Sequence, residues 1–262
     1  MTEIFPTPGA LADAVARHVV ARAAGAIAAT GRFILALAGG STPREVYALL
    51  ATQAFASQIE WEMVHVFWGD ERCVPPGDRR SNYRMAKETL LDRVPIPAHQ
   101  IHRMRGEDDP KQAAAQYEHE LRALLGGDRA EGPPTAGLDL ALLGMGEDGH
   151  TASLFAGQAA IHETVRWVVA VYVPVATMWR ITLTPPVLNA ASDVTFVVSG
   201  ASKAARLQEV LQGPFAPNTL PAQAIRPAQG RLNWMVDQAA AGRLRPEQAP
   251  GRTELGHHAV DA

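Results

Sequence analysis

The sequence predicts an α/β protein of one domain, in which helices cover both faces of a mostly parallel sheet. Two observations lead to this prediction. Patterns typical of helices and strands alternate along the 262 residues, and the strand-like runs are continuously apolar, as in residues 33–38. A strand that is apolar on both faces is typical of a parallel or mixed sheet packed between layers of helices.

Each predicted element rests on its own spacing of apolar residues. Helices are predicted where apolar residues recur every three or four positions, and strands where short apolar runs are bounded by Gly, Pro or polar residues. The predicted helices span residues 11–29, 46–50, 82–91 and 110–125. The predicted strands span residues 33–38, 64–68, 138–143, 167–173, 180–184, 194–198 and 232–236.

Size and charge describe an ordinary globular protein. The chain has 24 Lys and Arg against 27 Asp and Glu, a formal charge of −3, and 47% hydrophobic residues. No apolar run approaches the ~20 residues that cross a bilayer, and no export signal is visible, so we expect a cytoplasmic protein without a membrane partner. The absence of basic blocks predicts no nucleic-acid partner. We expect a monomer or a small homo-oligomer.

Two segments lack the apolar periodicity of the rest. Residues 126–137 are rich in Gly, Pro and charged side chains and are predicted to form a surface loop. Residues 242–262 mix Pro, Gly, Arg, Glu and His, and are predicted to form a flexible C-terminal tail. The predicted domain therefore spans residues 1–241.

A glycine-rich turn follows the strand at residues 33–38. Thr42 is the predicted N-cap of the next helix, and Glu45 completes a capping box with it. Glycines let a ligand approach the backbone closely, and the free N–H groups at the start of a helix favour an anion such as a phosphate. The candidate phosphate-binding residues are Gly40, Ser41 and Thr42. The alternative is a well-capped helix after a tight turn.

Charged residues follow the strand at residues 64–68. Ligands of open α/β sheets bind beyond the carboxyl ends of the strands, where Asp70, Glu71 and Arg72 are expected. Arginine can bind a phosphate through two parallel hydrogen bonds, and either carboxylate could hold the guanidinium or a sugar hydroxyl. The alternative is an exposed turn whose charges pair with one another.

A third loop, residues 144–155, combines glycines with Glu147, Asp148 and His150. Its glycines match the dinucleotide fingerprint G-x-G-x-x-G, but the two carboxylates would repel a pyrophosphate, and no crossover helix of normal length is predicted after the loop. We interpret His150 as a general base, because histidine accepts a proton near neutral pH and a carboxylate such as Asp148 can fix its tautomer.

Two later segments add cations. Lys203 is predicted in the first turn of a helix, where a cation is unfavourable unless an anion is bound nearby. Arg180 is a further candidate for binding the substrate. The alternative is that it is a charged residue at the edge of the sheet. Neither an H-E-x-x-H pattern nor a cysteine pair is present, so we expect a site without metal or cofactor.

Together these segments resemble the 6-phosphogluconolactonase branch of the glucosamine-6-phosphate isomerase/6-phosphogluconolactonase family. The resemblance extends from about residue 5 to residue 240. The matching segments are residues 37–43, 68–72, 74–76, 81–83, 144–155 and 180–182, with Gly200 and Lys203. One departure is Ala156, where the family usually has Pro.

The resemblance implies a Rossmann-like domain and a site that needs no metal or nucleotide. The implied reaction is the hydrolysis of 6-phospho-D-glucono-1,5-lactone to 6-phospho-D-gluconate in the oxidative pentose phosphate pathway. In a compatible mechanism, Arg72 and Lys203 neutralise the phosphate, and His150 deprotonates the attacking water.

There are two alternative functions, one from a related enzyme family and one from another functional class. The first is a deaminase or isomerase of an amino sugar phosphate, whose loop usually continues with Ala-Phe-Asn-Glu-Pro, whereas residues 152–156 of this chain read Ala-Ser-Leu-Phe-Ala. The second is a sugar-phosphate sensor domain that binds without chemistry. No helix-turn-helix segment or basic arm supports the sensor.

Overall fold

Nine strands and seven α-helices, together with seven short 3₁₀ helices, make up the regular structure of the described residues. In a computed structural model of the chain, residues 1–126 and 137–245 are described. The strands are β1 (Thr2–Phe5), β2 (Phe33–Leu37), β3 (Val64–Trp68), β4 (Asp70–Arg72), β5 (Leu140–Leu143), β6 (Val168–Val173), β7 (Met178–Leu183), β8 (Asp193–Val198) and β9 (Arg231–Asp237). The helices are α1 (Pro8–Thr30), α2 (Ser41–Leu50), α3 (Gln53–Ala56), α4 (Asn82–Thr89), α5 (Pro110–Leu125), α6 (Pro185–Asn189) and α7 (Ala204–Gln212).

The main sheet is parallel and has six strands in the order β1-β9-β8-β5-β2-β3. Along the chain, β2 is followed by its neighbour β3, whereas β5, β8 and β9 add on the other side of β2. The sheet order therefore reverses between β2 and β5. In open α/β sheets, the crevice at such a point is where ligands bind.

Helices cover both faces of this sheet, as the sequence predicts. Alternate residues of β2 point to opposite sides, and all five are at most 2% exposed. Leu35 packs in a core with α1, α2 and α4, whereas Ala36 packs in a core with α5, α6 and α7. This double burial explains why the strand is continuously apolar. None of the helices within the described residues is long and apolar enough to span a membrane.

A second sheet of three antiparallel strands, in the order β4-β7-β6, lies beside the first. The sequence predicts β6 and β7 but not that they belong to a separate sheet. It also predicts Asp70, Glu71 and Arg72 as a loop, which is wrong, because these residues form β4 and pair with β7. Charged residues are accommodated in this strand because groups of neighbouring elements form hydrogen bonds and an ion pair with them.

Helix α1 extends the prediction for residues 11–29 by a few residues at its N-terminus, where Thr7 caps it. Strand β1 and the short helices α3 and α6 are not predicted. The predicted loop is described only at its two ends, because residues 127–136 lie outside the described residues. In the predicted tail, Arg245 exchanges two hydrogen bonds with Gln212 of α7. Residues 246–262 lie outside the described residues.

Candidate functional site

A cavity of about 210 Å³ opens at the carboxyl ends of β2 and β5, where the sheet order reverses. The turns after β2 and β5, Gly69 and strand β4 form its walls, and strand β7 and the turn before α7 complete it. The lining residues are Ala38, Gly39, Gly40, Gly69, Asp70, Arg72, Leu143, Gly144, Met145, Gly146, His150, Ala152, Arg180 and Lys203. Segments that are far apart in the chain therefore meet at one point.

Most of the predicted site residues line this cavity. Those that do are Gly40, Asp70, Arg72, His150, Arg180 and Lys203. Ser41 and Thr42 lie in the first turn of α2, next to Gly40 but outside the lining. Asp148 also lies outside the lining and contacts His150. The structure brings the predicted residues together, and their chemical roles remain predictions.

The capping box predicted at the start of α2 is wrong. The helix begins at Ser41 with Gly40 as its N-cap, and no side chain accepts a hydrogen bond from its first turn. Thr42 and Pro43 are already helical, so the Thr42 hydroxyl is not in the capping position. The N–H groups of this first turn consequently lack a capping side chain, which favours an anion beside Gly40.

His150 and Asp148 form a pair within the loop after β5. The Nδ1 atom of the imidazole lies 2.5 Å from Asp148 Oδ1, and the side chain of His150 is 26% exposed. This hydrogen bond lowers the pKa of Asp148 to about 2. Because Asp148 remains ionised at neutral pH, its carboxylate accepts a hydrogen bond from Nδ1–H, and the lone pair of the neutral imidazole is then on Nε2. The pair therefore has the tautomer that a general base needs.

Two neighbours fix the position of this imidazole. A Cβ atom on Gly146 would lie 2.1 Å from His150 Nδ1 and 2.4 Å from Asp148 Oδ1, so only glycine fits beside the pair. On the other side, the Phe155 ring stacks on the imidazole, with 4.2 Å between centroids and 25° between planes. Both residues lie within the predicted loop, residues 144–155.

Three cations, Arg72, Arg180 and Lys203, share the cavity wall with one carboxylate, Asp70. The buried Nε atoms of Arg72 and Arg180 find no acceptor within the described residues, so each guanidinium has donors that the protein leaves unused. This excess of positive charge favours an anionic ligand. No three His, Cys, Asp or Glu side chains of residues 1–126 and 137–245 are placed to hold a metal ion.

Asp70 holds Arg180 in place. The buried carboxylate accepts hydrogen bonds from Ser153 Oγ at 2.6 Å and Asn82 Nδ2 at 3.1 Å, and it lies 3.5 Å from Arg180 Nη1. Burial lowers the pKa of Arg180, and the charge of Asp70 opposes that effect. Since β7 pairs with β4 and β6, Arg180 is not an edge charge, and the alternative interpretation of this residue is wrong.

Glu71 has a structural role. Its carboxylate is 3% exposed and accepts hydrogen bonds from the backbone N–H groups of Arg72, Asn82 and Tyr83 and from Ser81 Oγ, at 2.7 to 2.8 Å. Burial raises the pKa of Glu71, while these four hydrogen bonds oppose the rise. Of the two carboxylates considered from the sequence, Asp70 contacts the cavity and Glu71 anchors the start of α4.

Replacing Glu71 with Gln should destabilise the protein. An amide group offers one oxygen in place of two, so buried donors at the start of α4 lose their acceptor. We expect the free energy of unfolding to fall by about 1–3 kcal/mol, the usual cost of leaving a buried hydrogen-bonding group unpaired. Urea denaturation measures this change. The control is Glu88→Gln, which removes an exposed pair with Arg84 on the same helix and should have almost no effect. Equal losses in both variants would contradict the anchoring role.

Two further residues shape the cavity and were not predicted as site residues. A Cβ atom on Gly39 would lie 1.9 Å from Asn82 Oδ1, so the side chain of Asn82 packs directly on the glycine turn. Ser153 joins Asp70 to the loop that carries His150. Each is a polar residue within a segment that the sequence predicts to belong to the site, and this is the one feature of the sequence that points to a role for them. Their partners, however, come from distant segments of the chain, which sequence spacing does not reveal.

Fold and cavity define a class of α/β proteins with a cationic pocket at the point where the strand order reverses. The model of one family, described as glucosamine-6-phosphate isomerases/6-phosphogluconolactonase, matches residues 6–234. The chain belongs to this family.

Individual relatives agree with this assignment. A protein of Nostoc sp. named 6-phosphogluconolactonase is 40% identical over 247 residues, which cover 92% of this chain and 97% of the relative. A Synechocystis sp. protein of the same name is 42% identical over 229 residues, covering 87% of this chain and 91% of the relative. The solved structure of 6-phosphogluconolactonase from Trypanosoma cruzi superposes with a TM-score of 0.82 at 28% identity, covering 93% of this chain and 96% of the other.

Proposed function

We propose that the protein hydrolyses 6-phospho-D-glucono-1,5-lactone to 6-phospho-D-gluconate, the lactonase step of the oxidative pentose phosphate pathway. The observation that carries this proposal is one cavity that is lined both by a histidine hydrogen-bonded to Asp148 and by three cations. The names of the relatives supply the substrate. The cations suit the phosphate, and the histidine suits a hydrolysis that needs no covalent intermediate.

Binding begins with the phosphate. Arg72, Arg180 and Lys203 neutralise its charge, and the first turn of α2 beside Gly40 offers backbone N–H groups. Charge-assisted hydrogen bonds of this type are short and directional, so they fix the phosphorylated end of the sugar. The lactone carbonyl is then placed toward the part of the cavity that His150 lines.

The chemical step uses His150 as a general base and then as a general acid. The Nε2 atom accepts a proton from water while the water oxygen bonds to the lactone carbon, which gives a tetrahedral oxyanion. When the oxyanion collapses, the bond between the carbon and the ring oxygen breaks, and Nε2 returns the proton to that oxygen. Asp148 stays ionised and stabilises the imidazolium between these two steps.

An activity assay tests the proposal directly. The full chain should accelerate 6-phosphogluconolactone hydrolysis well above its spontaneous rate and should release no ammonia from glucosamine 6-phosphate. Unphosphorylated gluconolactone serves as a second control and should be a poor substrate. Ammonia release without lactone hydrolysis would favour the deaminase branch, and binding without turnover of either compound would favour a sensor.

The role of Asp148 leads to a separate prediction. In the Asp148→Asn variant the charge that fixes the imidazole tautomer is absent, so kcat should fall by roughly 10-fold or more, part of the 10²- to 10⁴-fold that a general base contributes. KM should change little, because the cations are intact. Steady-state kinetics at neutral pH measures both constants.

The matched control is Glu147→Gln, which removes an exposed carboxylate at the neighbouring position. Because the pKa of Asp148 is held at about 2, protonation of this carboxylate does not limit activity at neutral pH. The contact between Asp148 and His150 therefore stabilises the folded protein at pH values above 3.8, the ordinary pKa of an aspartate. This contribution is lost as the pH falls toward 2, the pKa of Asp148 in the folded protein. Equal kinetic effects of the two variants would contradict the orienting role.

A further inference from the structure

Two buried tyrosines lie where two strands of the main sheet end beside the cavity. The hydroxyl of Tyr47, on α2, accepts a hydrogen bond from the N–H of Ala38 at 2.9 Å and donates one to its carbonyl at 2.8 Å. The hydroxyl of Tyr117, on α5, accepts from the N–H of Trp68 at 2.7 Å and donates to its carbonyl at 3.4 Å. Each hydroxyl thus holds both polar groups of one residue.

The Tyr47 hydroxyl lies at the point where the pairing of β2 with β5 ends, beside Ala38. Ile34 accepts a hydrogen bond from the N–H of Asp139, at the start of β5, and Ala36 pairs with Ala141 of the same strand. By the alternation along a strand, the N–H and carbonyl of Ala38 face the same side. The pairing with β5 has stopped there, so the Tyr47 hydroxyl satisfies the groups that another residue of β5 would have paired.

Tyr117 does the same on the outer edge of β3. The N–H of His102 donates to the carbonyl of Val66, which is two residues before Trp68 on that strand. Beyond this point the edge of β3 has no further strand partner in the described residues, and the Tyr117 hydroxyl takes its place. Tyr117 also packs edge to face on Phe67, with 5.7 Å between ring centroids.

Both hydroxyls are held in the neutral form. Tyr47 and Tyr117 are at most 1% exposed, and burial raises the pKa of each phenol far above its ordinary value. Only a neutral hydroxyl can donate and accept at once. Phenylalanine would fill the same space and leave a buried N–H and a buried carbonyl unpaired.

The residues that follow these two strand ends form the cavity wall. Ala38 precedes Gly39 and Gly40, and Trp68 precedes Gly69 and Asp70. A shift at either strand end therefore moves a wall of the cavity relative to the other walls.

We propose that Tyr47 and Tyr117 are positioning residues that terminate β2 and β3 and thereby set the two segments that follow them, the turn that carries Gly40 and strand β4 that carries Arg72. They do not touch the substrate. The expected effect of the tyrosines on KM rests on the proposed lactonase function. Their effect on the two strand ends, through hydrogen bonds to Ala38 and Trp68, does not depend on any substrate.

Amide hydrogen exchange of the unaltered protein is the first test. The amides of Ala38 and Trp68 should be protected to about the same degree as the paired amides of β2 and β3, although neither bonds to a strand. Exchange of either amide at the rate of an exposed loop would overturn the inference for that tyrosine. This measurement needs neither a variant nor activity.

Tyr47→Phe and Tyr117→Phe then test each hydroxyl separately. Tyr47→Phe should speed exchange in residues 38–42 and leave residues 68–72 unchanged, and Tyr117→Phe should show the opposite pattern. With the phosphorylated lactone, we expect KM to rise by about 10-fold in Tyr47→Phe while kcat stays within about twofold, since small misplacements of binding groups cost that much or more. The control is Tyr83→Phe, because the Tyr83 hydroxyl makes no hydrogen bond within the described residues although its ring contacts Trp68.

The results separate this inference from the proposed function. If the tyrosines had a merely structural role, the variants would have a lower folded fraction and a lower kcat, with KM unchanged. That result would overturn the inference that they position the cavity wall. If the unaltered protein fails to hydrolyse the lactone, the proposed function is wrong, and the exchange pattern alone decides whether the tyrosines set the segments that follow β2 and β3.

Discussion

His150→Ala should abolish lactone hydrolysis and still bind 6-phosphogluconate. The variant lacks the nitrogen that accepts the proton of water, so we expect kcat to fall by roughly 10²- to 10⁴-fold, the contribution of a positioned general base. The cations remain in place, so the affinity for the product should change by no more than a few fold. Turnover assays and calorimetric titration with 6-phosphogluconate measure the two effects separately.

The control for this variant is His162→Ala, which removes an exposed histidine from a short turn between β5 and β6. It should keep full activity. If His150→Ala retains activity within a few fold of the unaltered protein, another group is the base. If both turnover and binding disappear while the variant remains folded, His150 binds the substrate instead of activating water.

Removing the charge of Arg72 or Lys203 should weaken binding of the phosphorylated lactone. Arg72→Met and Lys203→Met each remove charge-assisted hydrogen bonds, which contribute about 1.5–3 kcal/mol, so KM for the phosphorylated lactone should rise by roughly 10- to 100-fold. The rate with unphosphorylated gluconolactone should barely change, because that compound has no phosphate to hold. Kinetics with both lactones gives the comparison.

Arg79→Met is the matched control, since Arg79 is an exposed cation in the segment between β4 and α4 and does not line the cavity. Its KM should equal that of the unaltered protein. Equal losses with both lactones in the Arg72 or Lys203 variant would show that these cations do not bind the phosphate.

Much of the fold could be predicted because its central strands are covered on both sides. A strand such as β2, buried between two layers of helices, has to be apolar at every position, and this pattern is visible in the sequence. Strand β4 could not be predicted in the same way. It consists of Asp70, Glu71 and Arg72, which are accommodated in a sheet only because Asn82, Ser81 and Arg180 come from other elements.

The site could be predicted to a similar extent. Glycines and charges that directly follow strands indicate a ligand crevice, because parallel strands end at one edge of the sheet. The contact of Asp148 with His150 is local and present in the structure, while its role in catalysis stays a prediction. The contacts of Ser153 with Asp70 and of Asn82 with Gly39 depend on distant segments, and so do the tyrosines at the strand ends.

The capping box shows a limit of a different kind. The pattern of Thr42 and Glu45 fits the motif, yet Gly40 adopts a φ of 108° and starts the helix earlier. Local motifs predict a helix start to within a residue or two. That accuracy is sufficient to locate the turn and insufficient to assign its hydrogen bonds.

A crystal structure with bound 6-phosphogluconate tests the central claim most directly. The account predicts that the phosphate lies among Arg72, Arg180 and Lys203, beside Gly40, and that the carboxylate carbon lies within reach of His150 Nε2. A phosphate bound next to His150, with the carboxylate among the three cations, would contradict it.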